Sequence, residues 1–214
     1  MTAAPDEQPP ASHLRLVGEV SVPQQGGRGR KFRPVGREGE PVGSESEEFW
    51  PAGREAVGPE EFRQALAAHA AGVVVVTARP DGEPVGLTAT SFTSVSLAPP
   101  LVSFYVDQAS TTWPALSKAE YFAVNVLASH QVDVAARFAR KGVDRFAAPT
   151  RWSPGLADVP LLEEVSGHLV CRAHHTSEVG DHILVVGLVV ATAGGDDGRP
   201  LLYHQGRFGD FQPR

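Results

Sequence analysis

Two short segments of this sequence concentrate hydroxyl side chains in a way that suits the binding of a polar ligand. The first, residues 86–100, is unusually rich in Thr and Ser for a strand and its exit. Hydroxyls and exposed backbone N–H groups at the mouth of a barrel suit a polar heteroaromatic ring or a phosphate. A Thr-rich surface strand is the competing interpretation, because Thr is a good strand former.

The second segment, residues 110–112, places three consecutive hydroxyls where a capped short helix is predicted to begin. Free N–H groups and the positive end of the helix dipole favour an anion at such a position. Simple N-capping is the alternative, and one hydroxyl suffices for it. The pattern by itself leaves both interpretations open.

The sequence lacks the motifs of several other kinds of binding site and active site. There is no Walker A loop and no Gly-x-Ser-x-Gly elbow, and the glycines at 26–29 have no predicted strand before them. Cys171, His174 and His175 lie close together, but Cys171 and His174 point to opposite faces of an extended strand. We therefore expect no metal site there, and a buried structural cysteine on a core strand.

The elements that must position the hydroxyl segments are mostly strands. Residues 73–78 form a continuous β-branched run, typical of a strand buried on both faces, and Asp81-Gly82 predicts a hairpin turn after it. Further strands are predicted at 84–90, 101–106, 121–127, 166–177, 181–193 and 200–204, and short helices at 59–72, 110–118 and 129–140. Six or seven strands with short helices and tight turns predict a mainly β antiparallel barrel.

Composition divides the chain near residue 58. Residues 1–58 hold nine glycines and seven prolines with no sustained hydrophobic period, which predicts a disordered N-terminal extension before a folded domain at 59–214. A basic patch at 28–33 has the chemistry to contact RNA or an acidic partner, and a solvated tail is the alternative.

The whole chain has the composition of a globular protein. Of its 214 residues 42% are hydrophobic and 21% charged, and the net charge of -6 argues against a nucleic-acid binder. The longest nearly unbroken apolar run, 183–193, is shorter than the ~20 residues that a membrane-spanning helix needs. The acidic N-terminus lacks a signal-peptide pattern and a single cysteine cannot form an internal disulfide, so we expect a cytoplasmic protein without nucleic-acid or membrane partners.

The segment 86–100, with the motifs that follow it in order, resembles the flavin reductase family with the FMN-binding split-barrel fold. These motifs are Ser110-Thr111-Thr112, the strand 122–127, Phe138-Ala139 with Asp144-Arg145-Phe146, Gly180-Asp181-His182 and the closing strand 200–208. The ordered combination is specific and spans 60–210. The resemblance implies an antiparallel split β-barrel, usually a homodimer.

The resemblance also implies which residues bind the cofactors. The flavin ring would lie against the first segment, at Thr88, Ala89, Thr90, Ser91, Phe92 and Ser96. The flavin phosphate would lie at Ser110, Thr111 and Thr112. Lys141, Arg145 and Phe146 would lie near the outer part of the flavin and the incoming dinucleotide, His182 near the nicotinamide, and Tyr203 in the closing strand. Lys141 and Arg145 are alternatively partners of the preceding helix's C-terminal carbonyls.

The activity implied is that of an NAD(P)H:flavin oxidoreductase, which supplies reduced flavin to a separate monooxygenase. Hydride passes between cofactors, so no residue needs to act as acid, base or nucleophile. A non-catalytic flavin-binding or interaction protein, and a pyridoxamine-phosphate-oxidase-like enzyme, are the alternatives. The motifs do not distinguish FMN from FAD, or NADH from NADPH.

Overall fold

The computed structural model describes residues 56–194 and 198–213, together with the backbone of Arg15–Leu16. The predicted extension, apart from those two residues and 56–58, lies outside the described residues, and so does the basic patch at 28–33. Of the described residues, 15–16, 67–194 and 198–213 belong to one compact unit and 56–66 to another.

The strands of the described residues pair in three antiparallel sheets. The largest consists of β1 (Arg15–Leu16), β3 (Val74–Ala78), β4 (Val85–Ala89), β5 (Thr93–Leu97), β6 (Pro100–Asp107), β7 (Tyr121–Val126), β10 (Gly167–Val179) and β11 (His182–Gly194). A second sheet contains β2 (Ala71–Gly72), β12 (Leu201–His204) and β13 (Arg207–Asp210), and a third pairs β8 (Trp152–Pro154) with β9 (Pro160–Leu162). The helices are α1 (Pro59–Ala67), α2 (Trp113–Leu116) and α3 (Val132–Ala139).

The main sheet curls into an incompletely closed barrel. Its strands follow the order β4-β3-β7-β10-β11-β6-β5, so β4 and β5 lie at opposite ends although only residues 90–92 separate them in the chain. The crossing made by those residues brings β4 close to β6. Within the described residues β4 and β6 share no ladder, which leaves a split in the barrel wall.

Sequence pattern explains the strands and turns that form the barrel. The predicted strand at 73–78 is confirmed as β3, and all five of its residues are buried. The hairpin to β4 turns through Asp81 and Gly82, whose φ angles are 55° and 83°, a conformation that Asp-Gly pairs favour. The long hairpin of β10 and β11 turns at Gly180, with φ of 61°.

The barrel interior is packed so closely that one strand position needs glycine. Phe104 and Phe122 meet edge to face, with ring centroids 5.6 Å apart. A Cβ atom added at Gly187 would lie 2.4 Å from the Phe122 ring and 2.9 Å from Cβ of Cys171.

Cys171 is fully buried, as predicted, and burial raises the pKa of its thiol to about 12. His174 and His175, by contrast, are exposed.

Several predicted boundaries are wrong for identifiable reasons. The first helix ends at Ala67 rather than at Gly72, because Ala71–Gly72 pairs with β12 as a short strand. The helix predicted from residue 129 begins at Val132, since Ser129 N–H donates to the Arg199 carbonyl oxygen instead. Residues 93–97, predicted as a strand exit, form β5. No helix in the described part of the chain is long and apolar enough to cross a membrane.

Candidate functional site

A cavity of about 220 Å³ occupies the split between β4 and β6, and we refer to it as the split cavity. β4 contributes Leu87 and Thr88 to its wall, and β6 contributes residues 105–107. Residues 110–112, Lys141 and Arg145 lie around the remainder. The fold therefore brings the beginning of the first hydroxyl-rich segment and the whole of the second to one cavity.

The one hydroxyl that β4 contributes to this wall is already engaged. Thr88 lines the split cavity, but its hydroxyl donates to the Ala135 carbonyl oxygen in α3, 2.7 Å away. Ala89 is buried in the barrel core, and Thr90 is exposed where the strand ends. Of these three predicted ring-binding residues, only Thr88 lines the cavity.

The rest of the first segment lies along the barrel edge. Ser91 Oγ accepts a hydrogen bond from the Tyr105 N–H at 2.9 Å, which ties the 90–92 crossing to β6. Phe92 packs against the core, and Ser96 pairs with Leu101 near the far end of β5. None of these three predicted ring-binding residues lines the split cavity.

The loop after β6 is held in a tight turn at the other side of the cavity. Asp107 Oδ1 accepts the Ala109 N–H at 2.7 Å, and the Ser110 N–H donates to the Asp107 carbonyl oxygen at 2.9 Å. Ser110 Oγ accepts the Thr112 N–H at 3.3 Å. Thr112, with 7% of its surface exposed, precedes α2 but does not cap it with its side chain. The N-capping alternative given for residues 110–112 therefore does not hold for Thr112.

The Thr112 hydroxyl does not cap the helix because it accepts a hydrogen bond from Arg145 instead. The Arg145 guanidinium donates to Thr112 Oγ1 at 2.6 Å and to the Gly86 carbonyl oxygen of β4 at 2.7 Å. It also donates twice to the Arg140 carbonyl oxygen, at 3.1 and 2.5 Å, just after α3. Burial lowers the pKa of Arg145. Arg145 thus joins β4, the start of α2 and the end of α3, which includes the helix-carbonyl role that was the alternative for it.

A second cavity, of about 300 Å³, lies beside the first, and we refer to it as the outer cavity. It is lined by residues 84–86, 111–112, Ala115 and 142–146, so Thr111, Thr112 and Arg145 border both cavities. Phe146 forms part of this lining and also packs edge-on against Phe138 and Trp152, with ring centroids 5.2 and 5.6 Å away. Lys141 is exposed at the split cavity.

His182 begins β11 directly opposite Asp107, the residue that ends β6 and lines the split cavity. Its Nδ1 lies 2.6 Å from Asp181 Oδ1, and that hydrogen bond lowers the pKa of Asp181. Gln108 holds the turn before it: its N–H donates to the Asp181 carbonyl oxygen at 3.1 Å, and its Nε2 to that of Gly180 at 3.3 Å.

Tyr203 is not brought to either cavity. It lies in β12 of the second sheet, where its ring meets Phe208 edge-on at 5.3 Å between centroids. Sequence reasoning also missed two residues that line the split cavity, Tyr105 and Asp107, and their neighbour Gln108. Tyr105 and Asp107 alternate with buried neighbours along β6, a period-2 signal that was available in the sequence. The role of Gln108 had no such signal, because its partners are about 72 residues away.

Comparison with known proteins decides the family. The family model described as flavin reductase like domain matches residues 66–212. The chain belongs to this family. The predicted family and split-barrel fold are confirmed.

Family members whose activities are described are similar in sequence to this protein over most of its chain. An NADH:FMN oxidoreductase of Rhodococcus qingshengii is 41% identical over 69% of this chain and 79% of its own length. A flavin-dependent monooxygenase reductase subunit, HsaB, of Rhodococcus jostii is 35% identical over 74% and 81%. The NADH:FAD oxidoreductase SgcE6 of Streptomyces globisporus, solved with NAD and FAD fragments, is 36% identical with a TM-score of 0.68, covering 75% of this chain and 98% of that one.

Proposed function

We propose that this protein is an NAD(P)H:flavin oxidoreductase that passes hydride from a reduced nicotinamide nucleotide to FMN or FAD. The observation that carries the proposal is the split cavity, which is lined by β4, by the hydroxyl residues 110–112 and by the cations Lys141 and Arg145. Membership of the flavin reductase family supports it.

The residues around the split cavity fit a flavin phosphate at one end. Thr112 Oγ1 accepts a hydrogen bond from Arg145, so its own hydrogen is free to be donated to an anion. Ser110 Oγ likewise accepts from the Thr112 N–H and keeps its hydrogen. Lys141 and Arg145 supply positive charge, and hydrogen bonds to a charged group are the stronger kind.

The flavin ring would lie at the other end, between β4 and β6. A bound flavin supplies the hydride-accepting chemistry itself. Thr88 keeps this wall fixed, because its hydroxyl is committed to α3. The protein's task is to bind and orient two rings, so the cavity needs no nucleophile or metal.

His182 would contact the nicotinamide nucleotide. When Asp181 accepts the hydrogen on Nδ1, Nε2 is left to face a ligand, which fixes the orientation of the imidazole. Gln108 holds the hairpin that carries this pair beside the loop leading to 110–112. The proposed flavin and nicotinamide sites would thereby be linked by one short segment.

The experiment follows NADH and NADPH absorbance with added FMN, FAD or riboflavin under air. Steady consumption that depends on flavin supports the reductase. Protein that binds flavin but never oxidises either nucleotide contradicts it and favours a non-catalytic flavin-binding protein.

The proposal extends to a homodimer, a monooxygenase partner and a cytoplasmic location. Two apolar side chains on the edge strand β5, those of Val95 and Leu97, are exposed, and such an edge favours a homodimer in which a second chain covers it.

The similarity to HsaB supports a partner monooxygenase that consumes the reduced flavin. The unpaired thiol of Cys171 is consistent with a reducing compartment.

A further inference from the structure

A further cavity, of about 550 Å³, lies on the second sheet, and we refer to it as the hairpin cavity. It is bordered by Ala70, by Leu202, His204 and Gln205 of β12 and the turn after it, and by residues 207–210 of β13. None of these residues lines the split cavity or the outer cavity. The volume lies within the range of small-molecule pockets, so the cavity has room for a ligand of its own.

The hairpin that forms this cavity is held at both its tip and its edge. Gln205 and Gly206 connect β12 to β13 with φ angles of 49° and 76°, the left-handed pair that a tight two-residue hairpin turn needs. The Gln205 N–H donates to the Ala67 carbonyl oxygen at 3.2 Å, and β12 pairs with Ala71–Gly72 on its other side. The side chains around the cavity are therefore carried by a paired backbone.

One end of the hairpin cavity carries two basic side chains. His204 lies directly opposite Arg207 in the β12–β13 ladder, and both residues are exposed. Cβ atoms of opposite residues are ~4.5–5.5 Å apart, so one small anion can contact both side chains. Arg199 pairs with Asp210 at 2.7 Å, whereas neither Arg207 nor His204 has an ion pair or a side-chain hydrogen bond within the described residues. The Arg207 guanidinium is therefore available for a bidentate contact with a carboxylate.

The other end of the hairpin cavity is apolar and open. Strand alternation puts Leu202 on the same face as His204, and Gly209 lies directly opposite Leu202. A Cβ atom added at Gly209 would meet no atom within 4 Å, so the space above this position is open. Asp210 also borders the cavity, but Arg199 compensates its charge. Two strand residues span roughly 7 Å, so a ring-sized apolar group reaches from the basic end across Leu202.

We propose that the hairpin cavity binds a small carboxylate with an apolar body, of the size of benzoate. The carboxylate lies between His204 and Arg207, and the apolar body covers Leu202 and Gly209. A bare inorganic anion uses the basic pair alone and leaves the apolar end uncovered. The inference goes beyond the proposed function and does not depend on it, because the hairpin cavity shares no residue with the split cavity.

The test measures benzoate binding to the full chain by saturation-transfer NMR, with and without excess FMN. We expect a dissociation constant of about 1 mM that FMN does not change. Benzyl alcohol, which lacks the charge, and inorganic phosphate, which lacks the apolar body, should each compete with benzoate about tenfold more weakly than unlabelled benzoate does.

Two variants place the binding at the hairpin cavity. Arg207→Gln removes the cation, and Gly209→Leu fills the open space with an apolar side chain; each should weaken benzoate binding by about tenfold or more. Arg172→Gln is the matched control, because Arg172 is also exposed on a strand but lines none of the three cavities. This variant should bind benzoate as the wild type does. Circular dichroism melts show whether each variant is folded before its constants are compared.

The outcomes separate this inference from the proposed function. Unchanged benzoate binding in folded Arg207→Gln and Gly209→Leu, or equal loss in Arg172→Gln, overturns the inference. Displacement of benzoate by FMN assigns it to the split cavity and also overturns it, and competition by phosphate as strong as that by benzoate overturns the proposed ligand class. A wild type that binds benzoate here but never oxidises NADH loses the proposed function and keeps this site.

Discussion

Replacing Arg145 by Met tests whether one side chain holds the walls of the split cavity together. The change keeps the length of the side chain but removes the donors to Gly86, Thr112 and Arg140. The bonds to Gly86 and Thr112 are partly buried, and a typical intramolecular hydrogen bond contributes about 1 kcal/mol. The hydrogen bonds to Arg140 are exposed and contribute less to stability. Burial of the Arg145 charge offsets part of the stabilisation that these hydrogen bonds provide.

We therefore expect Arg145→Met to lower the free energy of unfolding by about 2 kcal/mol. For a domain of this size that corresponds to a fall in Tm of about 4–8 °C. The assay is a thermal melt followed by circular dichroism without flavin, then a flavin titration. The variant also loses the positive charge of Arg145 and the hydrogen bond that orients the Thr112 hydroxyl. FMN binding should therefore weaken by about tenfold or more.

Arg151→Met is the matched control. Arg151 contacts Glu163 and Glu164 on the surface, away from both cavities, and exposed ion pairs contribute little to stability. Its Tm should stay within about 1 °C of the wild type. If Arg145→Met has the Tm of the wild type, or if the Tm falls equally in both variants, the bridging role assigned to Arg145 is wrong.

Three further substitutions address the proposed ligand contacts and the dimer. Ser110→Ala should raise the FMN dissociation constant by about tenfold, and loss of the acceptor for the Thr112 N–H should lower the Tm by about 2–4 °C at most; an unchanged constant would move the phosphate elsewhere. His182→Ala should raise the KM for NADH by about fivefold and leave FMN affinity at the wild-type value, and wild-type kinetics would remove His182 from the site. Leu97, which is 93% exposed on β5, becomes charged in Leu97→Lys, and light scattering should then report monomers in place of dimers; a variant that stays dimeric places the interface on another surface.

Local pattern was enough to predict most of the barrel. The β-branched run at 73–78 and the Asp81-Gly82 turn specify β3 and its hairpin through short-range effects. The strand β5 was missed because its burial does not alternate and its pairing shifts between Ser94 and Ser96. In the structure β5 pairs with β6.

The site was predicted less completely, because its geometry comes from contacts that are distant in sequence. The resemblance to the family singled out residues 110–112, Lys141 and Arg145, and in the structure they all line one cavity. The contacts of Arg145 with Gly86 and Thr112 span 59 and 33 residues, and no local signal announces them. Ser96 and Tyr203 lie away from the cavity for a similar reason, since a motif records residue types but not the strand register that places them.

The deep burial of Cys171 also has a chemical consequence for a protein that handles reduced flavin. Reduced flavin in aerated solution converts oxygen to hydrogen peroxide, and peroxide attacks the ionised form of a cysteine. With the pKa of its thiol near 12 and no exposed surface, Cys171 stays protonated and out of reach. The chain's sole thiol is thus shielded from the oxidant that its own turnover would generate.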